Sequence, residues 1–77
     1  MRALICGIGG QDGAYLAKFL IEKGYEVIGT SRDAHMSPFT LLDKLKINEK
    51  VKKISMSITD YTSVFNILKN YKPDEIY

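Results

Sequence analysis

The feature that most constrains this chain is the run Cys6-Gly7-Ile8-Gly9-Gly10-Gln11-Asp12-Gly13. An apolar segment, Ala3-Leu4-Ile5, precedes it, and an amphipathic segment from Tyr15 to Lys23 follows it. That order is strand, glycine turn, helix. Gly7, Gly10 and Gly13 are spaced Gly-x-x-Gly-x-x-Gly, with a further glycine at Gly9. In a turn of this kind one glycine permits the sharp exit from the strand, one lets backbone N–H groups approach a pyrophosphate, and one lets helix and strand pack closely. An anion then sits at the helix N-terminus, where unpaired N–H groups and the positive end of the dipole favour it. The strand before and the helix after are the context that turns a glycine spacing into a dinucleotide-binding signal. Gly7, Ile8, Gly9, Gly10, Gln11, Asp12 and Gly13 are therefore the first candidate cofactor-binding residues.

The rest of the chain reads as a continuation of the same unit. Arg2 to Cys6 is a nearly all-apolar strand, as expected where both faces of a parallel sheet are covered. The helix begins near Asp12. Leu16, Phe19 and Leu20 give its expected buried stripe, with Tyr15 and Ala17 at the edges and Gly24 just past its end. Tyr25 to Thr30 reads as a second strand, and Ser31-Arg32-Asp33 leaves its C-terminal end, the end at which open parallel sheets bind ligands. Ser37-Pro38 suggests a helix start, with Leu41, Leu42 and Leu45 on the apolar face and Asn48 as the stop. Val51 to Met56 is a third strand. Ser57 to Asp60 is a turn in which Thr59 or Asp60 caps a further helix carrying Val64, Phe65, Ile67, Leu68 and Tyr71. Lys72-Pro73 ends that helix, and Asp74 to Tyr77 begins a fourth strand. The expected architecture is α/β, the first half of a doubly wound parallel sheet with strand order 3-2-1-4. As a complete doubly wound sheet needs more strands and helices, residues 1–77 are expected to be a partial domain, a fragment of a larger fold.

Composition excludes several alternatives. The 77 residues hold one cysteine, so neither an internal disulfide nor a cysteine-based metal site is expected. Hydrophobic content of 45% argues against disorder. A net charge of +2 with no basic stripe interleaved with aromatics gives no nucleic-acid footprint, and the Lys44–Lys53 stretch reads as a solvated helix end and turn. The apolar run ending at Cys6 is too short for a signal peptide and nothing resembles a membrane span, so a cytoplasmic protein is expected. His35 is a lone loop histidine, and Cys6 reads as a small buried residue rather than a reactive thiol. Arg32 is the candidate partner of an adenosine 2′-phosphate. NAD-specific sites place an acid at the end of the second strand, where this chain has Ser31 followed by Arg32, which makes NADP the expected cofactor and NAD the alternative.

The segment Gly7 to Leu20, followed by Glu22 to Val27 and Arg32, resembles the N-terminal part of the GDP-mannose 4,6-dehydratases, within the extended short-chain dehydrogenase/reductase family. Gln11-Asp12-Gly13, Glu22 to Val27 and the closing Pro73 to Tyr77 carry the resemblance, which weakens between Ala34 and Lys53. It implies an NADP-dependent lyase acting on a nucleotide sugar: a hydride leaves C4 of the hexose for the cofactor, water is eliminated across C5–C6, and the hydride returns to C6. It implies Ser57 and Ile58 on the adenine side of the cofactor, and a homo-oligomer. The family's Tyr-x-x-x-Lys pair is not met at Tyr61, Tyr71 or Tyr77, so no catalytic residue is expected within this chain. Four positions depart from the family pattern. Cys6 and Gly9 replace residues that contribute backbone only. Asp33 takes the place of a second basic residue beside Arg32, and Ser57 that of an aspartate. Two alternatives stay open: the cofactor half of a related nucleotide-sugar epimerase or reductase, and a non-catalytic nucleotide-binding module, with S-adenosylmethionine as another ligand such a fold could take.

Overall fold

The computed structural model describes residues 1–32 and 39–77. Four parallel strands, β1 (Arg2–Cys6), β2 (Glu26–Ser31), β3 (Val51–Ser55) and β4 (Glu75–Ile76), are ordered β3-β2-β1-β4. Between them run α1 (Gln11–Glu22), α2 (Thr40–Lys44), a 3₁₀ turn at Asn48–Lys50, and α3 (Tyr61–Tyr71). This is the strand order the sequence predicts. The reversal from rightward to leftward growth lies between β1 and β4, the switch point at which such sheets open a crevice.

Both sheet faces are covered, which explains why Ala3-Leu4-Ile5 of β1 and Val27-Ile28 of β2 are consecutive apolar residues rather than alternating ones. Ala3, Ile5, Val27 and Val51 face one side and pack with Ala14, Ala17 and Leu20 of α1 and Leu42 of α2. Leu4 and Ile28 face the other side and pack with Met56 and Ile67, flanked by Val64, Leu68 and Tyr71 of α3. The register aligns Arg2 with Glu26 and Cys6 with Thr30, and Val27 with Val51 and Ser31 with Ser55, so three strand ends finish nearly level. The β1–β4 ladder extends past the two residues of β4 themselves. Asp74 N–H donates to Arg2 O (2.8 Å), Tyr77 N–H to Leu4 O (2.8 Å) and Cys6 N–H to Tyr77 O (3.0 Å).

The helices end by the chemistry of their termini. α1 closes in a Schellman motif: Gly24, at φ +90°, donates to Ile21 O and Tyr25 to Leu20 O, both at 3.0 Å. α2 closes the same way through Lys46 (φ 61°), and Ile47 N–H reaches Leu42 O. Asn48 therefore opens the 3₁₀ turn rather than stopping the helix, because the chain has already turned at Lys46. Asp60 caps α3 by accepting from Ser63 N–H at 3.3 Å, and Lys72 in the left-handed region ends it before Pro73. The helix start expected at Ser37-Pro38 lies outside the described residues.

Two apolar faces differ from expectation. In α1 the buried positions are Ala14, Ala17 and Leu20, with Leu16 partly buried against the same core as expected, whereas Phe19 is 53% exposed and takes the Lys23 ammonium over its ring at 4.7 Å. Gly13 fixes the rotation of this helix. A Cβ there would lie 2.5 Å from Gly7 O, so Gly13 faces the turn, and Ala17 and Leu20 follow it on the same face. In α3, Val64, Ile67, Leu68 and Tyr71 keep the i, i+3, i+4, i+7 spacing, and Phe65, one position round, is exposed.

Candidate functional site

The glycine turn is built from three constraints. Gly7 has φ +78°, a conformation that a Cβ would strain. Gly10 N–H donates back to Gly7 O at 3.1 Å, and Ala14 N–H to Gly10 O at 3.0 Å, which launches α1 directly from the turn. Gly7 and Ile8 N–H both donate to Thr30 O, at 3.0 and 2.9 Å, and pin the turn to the end of β2. Thr30 is 2% exposed, and its hydroxyl donates to Ile5 O at 3.4 Å.

The turn borders a cleft of about 450 Å³ across the C-terminal ends of β1, β2 and β3. Cys6, Gly7, Gly9 and Gly10 form one wall, Thr30, Ser31 and Arg32 the floor and one end, and Met56, Ser57 and Ile58 the far side. Among the described lining residues Arg32 alone is charged. Ser57 Oγ lies 2.9 Å from Thr59 Oγ1, which holds the hydroxyl at the rim. Ile58 projects outward, 72% exposed. Phe39 lies beneath Gly9, its ring 3.8 Å from where a Cβ would stand.

This arrangement suits a phosphorylated, partly planar ligand. The N-cap of α1 is Gly10, and no side chain caps it. The first-turn N–H groups lack intrahelical acceptors, and no Cβ at Gly9 or Gly10 stands between them and the cleft. The walls formed by Met56 and Ile58 offer apolar surface to a ring, and Arg32 offers a guanidinium to an anion at the end of β2.

Of the residues expected to bind cofactor, Gly7, Gly9, Gly10, Arg32, Ser57 and Ile58 line the cleft together. The other four do not line it. Gln11 and Asp12 are exposed in the first turn of α1. Gly13 packs against the turn, and Ile8 is wholly buried, with its side chain in the core. Four lining residues were not among the expected binding residues, Ser31 having been placed only at the ligand-binding end of β2. Thr30 and Met56 were legible only as strand residues. Cys6, expected to be buried, is exposed, because it is the last residue of β1 and opens onto the cleft. Gly29 also escapes the sequence reading, although an isolated glycine inside an apolar strand is a known mark of close approach.

The sheet order, the glycine turn and the cleft at the strand ends define a Rossmann-type dinucleotide-binding fold. Residues 4–77 match the family model described as GDP-mannose 4,6 dehydratase, and the chain belongs to that family. It is 41% identical to a Vibrio cholerae GDP-mannose 4,6-dehydratase over 81 residues, covering 99% of this chain and 22% of that protein. It is 42% identical to the human GDP-mannose 4,6 dehydratase, covering 97% of this chain and 22% of that protein. The chain thus spans about a fifth of the length of the curated relatives it matches. Among solved structures it resembles the Bordetella bronchiseptica enzyme WbmH, described in complex with NAD+, with a TM-score of 0.73 at 28% identity over 97% of this chain and 24% of that one. It also resembles a Bacillus cereus UDP-glucuronic acid 4-epimerase, described with NAD, with a TM-score of 0.69 at 26% identity over 100% of this chain and 25% of that one.

Proposed function

We propose that residues 1–77 form the adenosine- and pyrophosphate-binding part of the nicotinamide dinucleotide site in a nucleotide-sugar 4,6-dehydratase acting on GDP-mannose, with NADP as the cofactor. The observation that carries this reading is the convergence of an uncapped glycine turn, the Arg32 guanidinium at the end of β2 and an apolar wall after β3 on one cleft. The family match supports the choice of reaction. The structural relatives described with NAD support a nicotinamide dinucleotide, and Arg32 supports the phosphorylated form.

The dinucleotide supplies the hydride acceptor and donor. This chain's residues bind and orient it. First-turn N–H groups of α1 hold the pyrophosphate, Arg32 meets the 2′-phosphate, and Ser57, Ile58 and Met56 bound the adenine. Proton transfer at the sugar is assigned to residues outside this chain. Exposed apolar groups at Phe65 and Ile76 support a homo-oligomer, or coverage of that surface by further structure of the same protein.

A nucleotide-sugar epimerase is the second reading, favoured by the likeness to the Bacillus cereus epimerase. A protein carrying this chain at the full length of its relatives, incubated with GDP-mannose and catalytic NADP, decides between them. Accumulation of a GDP-4-keto-6-deoxyhexose is the expected result. A 4-epimer with no loss of water would contradict the dehydratase reading, and failure to bind either dinucleotide would contradict the cofactor site itself.

A further inference from the structure

Gly29 lies in the middle of β2, paired with Ile5 on one side and Lys53 on the other. A glycine there weakens a strand, since it packs no side chain, yet a specific neighbour fills the space it leaves. A Cβ built at Gly29 would stand 2.4 Å from Ile8 Cγ1, 2.6 Å from Ile8 Cβ and 3.0 Å from Ile8 Cδ1. Ile8, fully buried, therefore occupies the slot on β2 that Gly29 leaves open. The contact reaches the root of the Ile8 side chain, not only its tip. A β-branched residue is stiff at χ1, so Ile8 cannot swing away without moving its own backbone. That backbone is the glycine turn, whose Gly7 and Ile8 N–H groups are both bound to Thr30 O, one residue beyond Gly29.

We infer that the Gly29–Ile8 contact is a positioning device for the dinucleotide site: the gap in β2 sets the depth at which the glycine turn seats, and so where the Gly9 and Gly10 backbone faces the cleft. Neither Gly29 nor Ile8 lines the cleft. Both act through the turn. This inference rests on the cofactor site proposed above. A Cβ at Gly29 pushes the turn outward and strains the two hydrogen bonds to Thr30 O. Misplacement of a binding group by about 1 Å is enough to lose about a hundredfold in function elsewhere. Shortening Ile8 relieves part of the clash, since Ile8→Ala removes Cγ1 and Cδ1 and leaves Cβ.

The test is a double-mutant cycle on the isotope-labelled chain with Gly29→Ala, Ile8→Ala and the pair, read two ways. Titration with NADP gives affinity, and amide hydrogen exchange at Gly7 and Ile8 gives the seating of the turn without any ligand. Gly29→Ala is expected to weaken NADP binding roughly tenfold or more and to speed exchange at Gly7 and Ile8 selectively. The double variant is expected to bind more tightly than Gly29→Ala alone. A folded Gly29→Ala protein with wild-type affinity and exchange overturns the inference, as does a double variant no better than Gly29→Ala. If Gly29→Ala does not fold, Ile8→Ala alone decides. Exchange accelerated over wild type at positions 7 and 8 but not in β1 supports the inference, and unchanged exchange overturns it. Wild-type protein that binds no dinucleotide would contradict the proposed cofactor site, and the exchange readout would still judge the seating of the turn.

Discussion

At Gly7 the backbone stands at φ +78°, and at Gly13 an added Cβ would fall 2.5 Å from the Gly7 carbonyl oxygen. At Gly9 the nearest atom to such a Cβ is a Phe39 ring carbon at 3.8 Å, an ordinary contact. Glycines in one motif thus answer to different demands. Gly13→Ala is expected to destabilise the chain by about 1–3 kcal/mol, the range for overpacking. Gly9→Ala is expected to stay within about 0.5 kcal/mol of wild type. Urea unfolding followed by circular dichroism separates the two, and equal losses would contradict the geometry. Arg32 poses the question of specificity. Charge-assisted hydrogen bonds contribute roughly 1.5–3 kcal/mol each, or about ten- to a hundredfold in affinity. With Asp33 adjacent in sequence, the lower end applies. Arg32→Ala should weaken NADP binding about tenfold and leave NAD binding nearly unchanged, as measured by calorimetry with both dinucleotides. Equal weakening of both would move Arg32 from the 2′-phosphate to the support of the turn.

Among the elements, β4 shows how a strand of two residues is held. Its backbone ladder to β1 is extended by Asp74 and Tyr77, and Asp74 Oδ2 accepts from Arg2 N–H at 2.7 Å. Tyr77 OH donates to Glu75 Oε1 at 2.7 Å, and this bond is the main reason the Tyr77 phenol titrates above its ordinary value. The Tyr25 phenol is also raised, first by desolvation and then by Glu75. Both phenols ionise more readily in the unfolded chain. Their contribution is complete below the ordinary tyrosine pKa of about 10 and is lost as pH rises through the higher folded values. Thermal melts are therefore expected to hold level up to about pH 9 and then decline. Glu75→Gln should flatten that decline, and an unchanged alkaline slope would remove Glu75 from the explanation. The same elements mark what sequence could tell. The strands, their order and the ends of α1 and α3 followed from apolar runs, glycines and prolines, whereas α2 ends at a left-handed lysine, Lys46, that carries no such signal. The facing of α1 followed only in part: Leu20 is buried and Leu16 packs partly buried against the core, but Phe19 is exposed and Ala14 and Ala17 take the innermost positions. The approach of Gly13 to Gly7 O sets that rotation. Cys6 was misjudged for a related reason: residue type suggests burial, whereas position at the strand end exposes it.

Across the whole molecule the two sheet edges differ. The β3 edge carries Lys52 and Lys53, charges of the kind that discourage strand pairing. The β4 edge carries Ile76, 56% exposed, with Phe65 of α3 also exposed. The chain is expected to associate in a concentration-dependent way through the β4 edge. Light scattering coupled to size-exclusion chromatography should show this for wild type and its loss in Ile76→Lys. A monomer at all concentrations would contradict that account of the edge. The cleft itself was legible in outline from the glycine turn, Arg32 and the residues after β3. Its assembly depends on three strand ends finishing level, which is a property of register and not of any local pattern. The most direct measurement of the central claim is a titration of the ¹⁵N-labelled chain with NADP. The amides of Gly7, Gly9, Gly10, Gln11, Arg32, Ser57 and Ile58 should shift together and saturate together, while the separate hollow at Asp43, Lys46 and Lys50 stays unmoved. No shifts, or shifts centred on that hollow, would contradict a dinucleotide site at the ends of β1, β2 and β3.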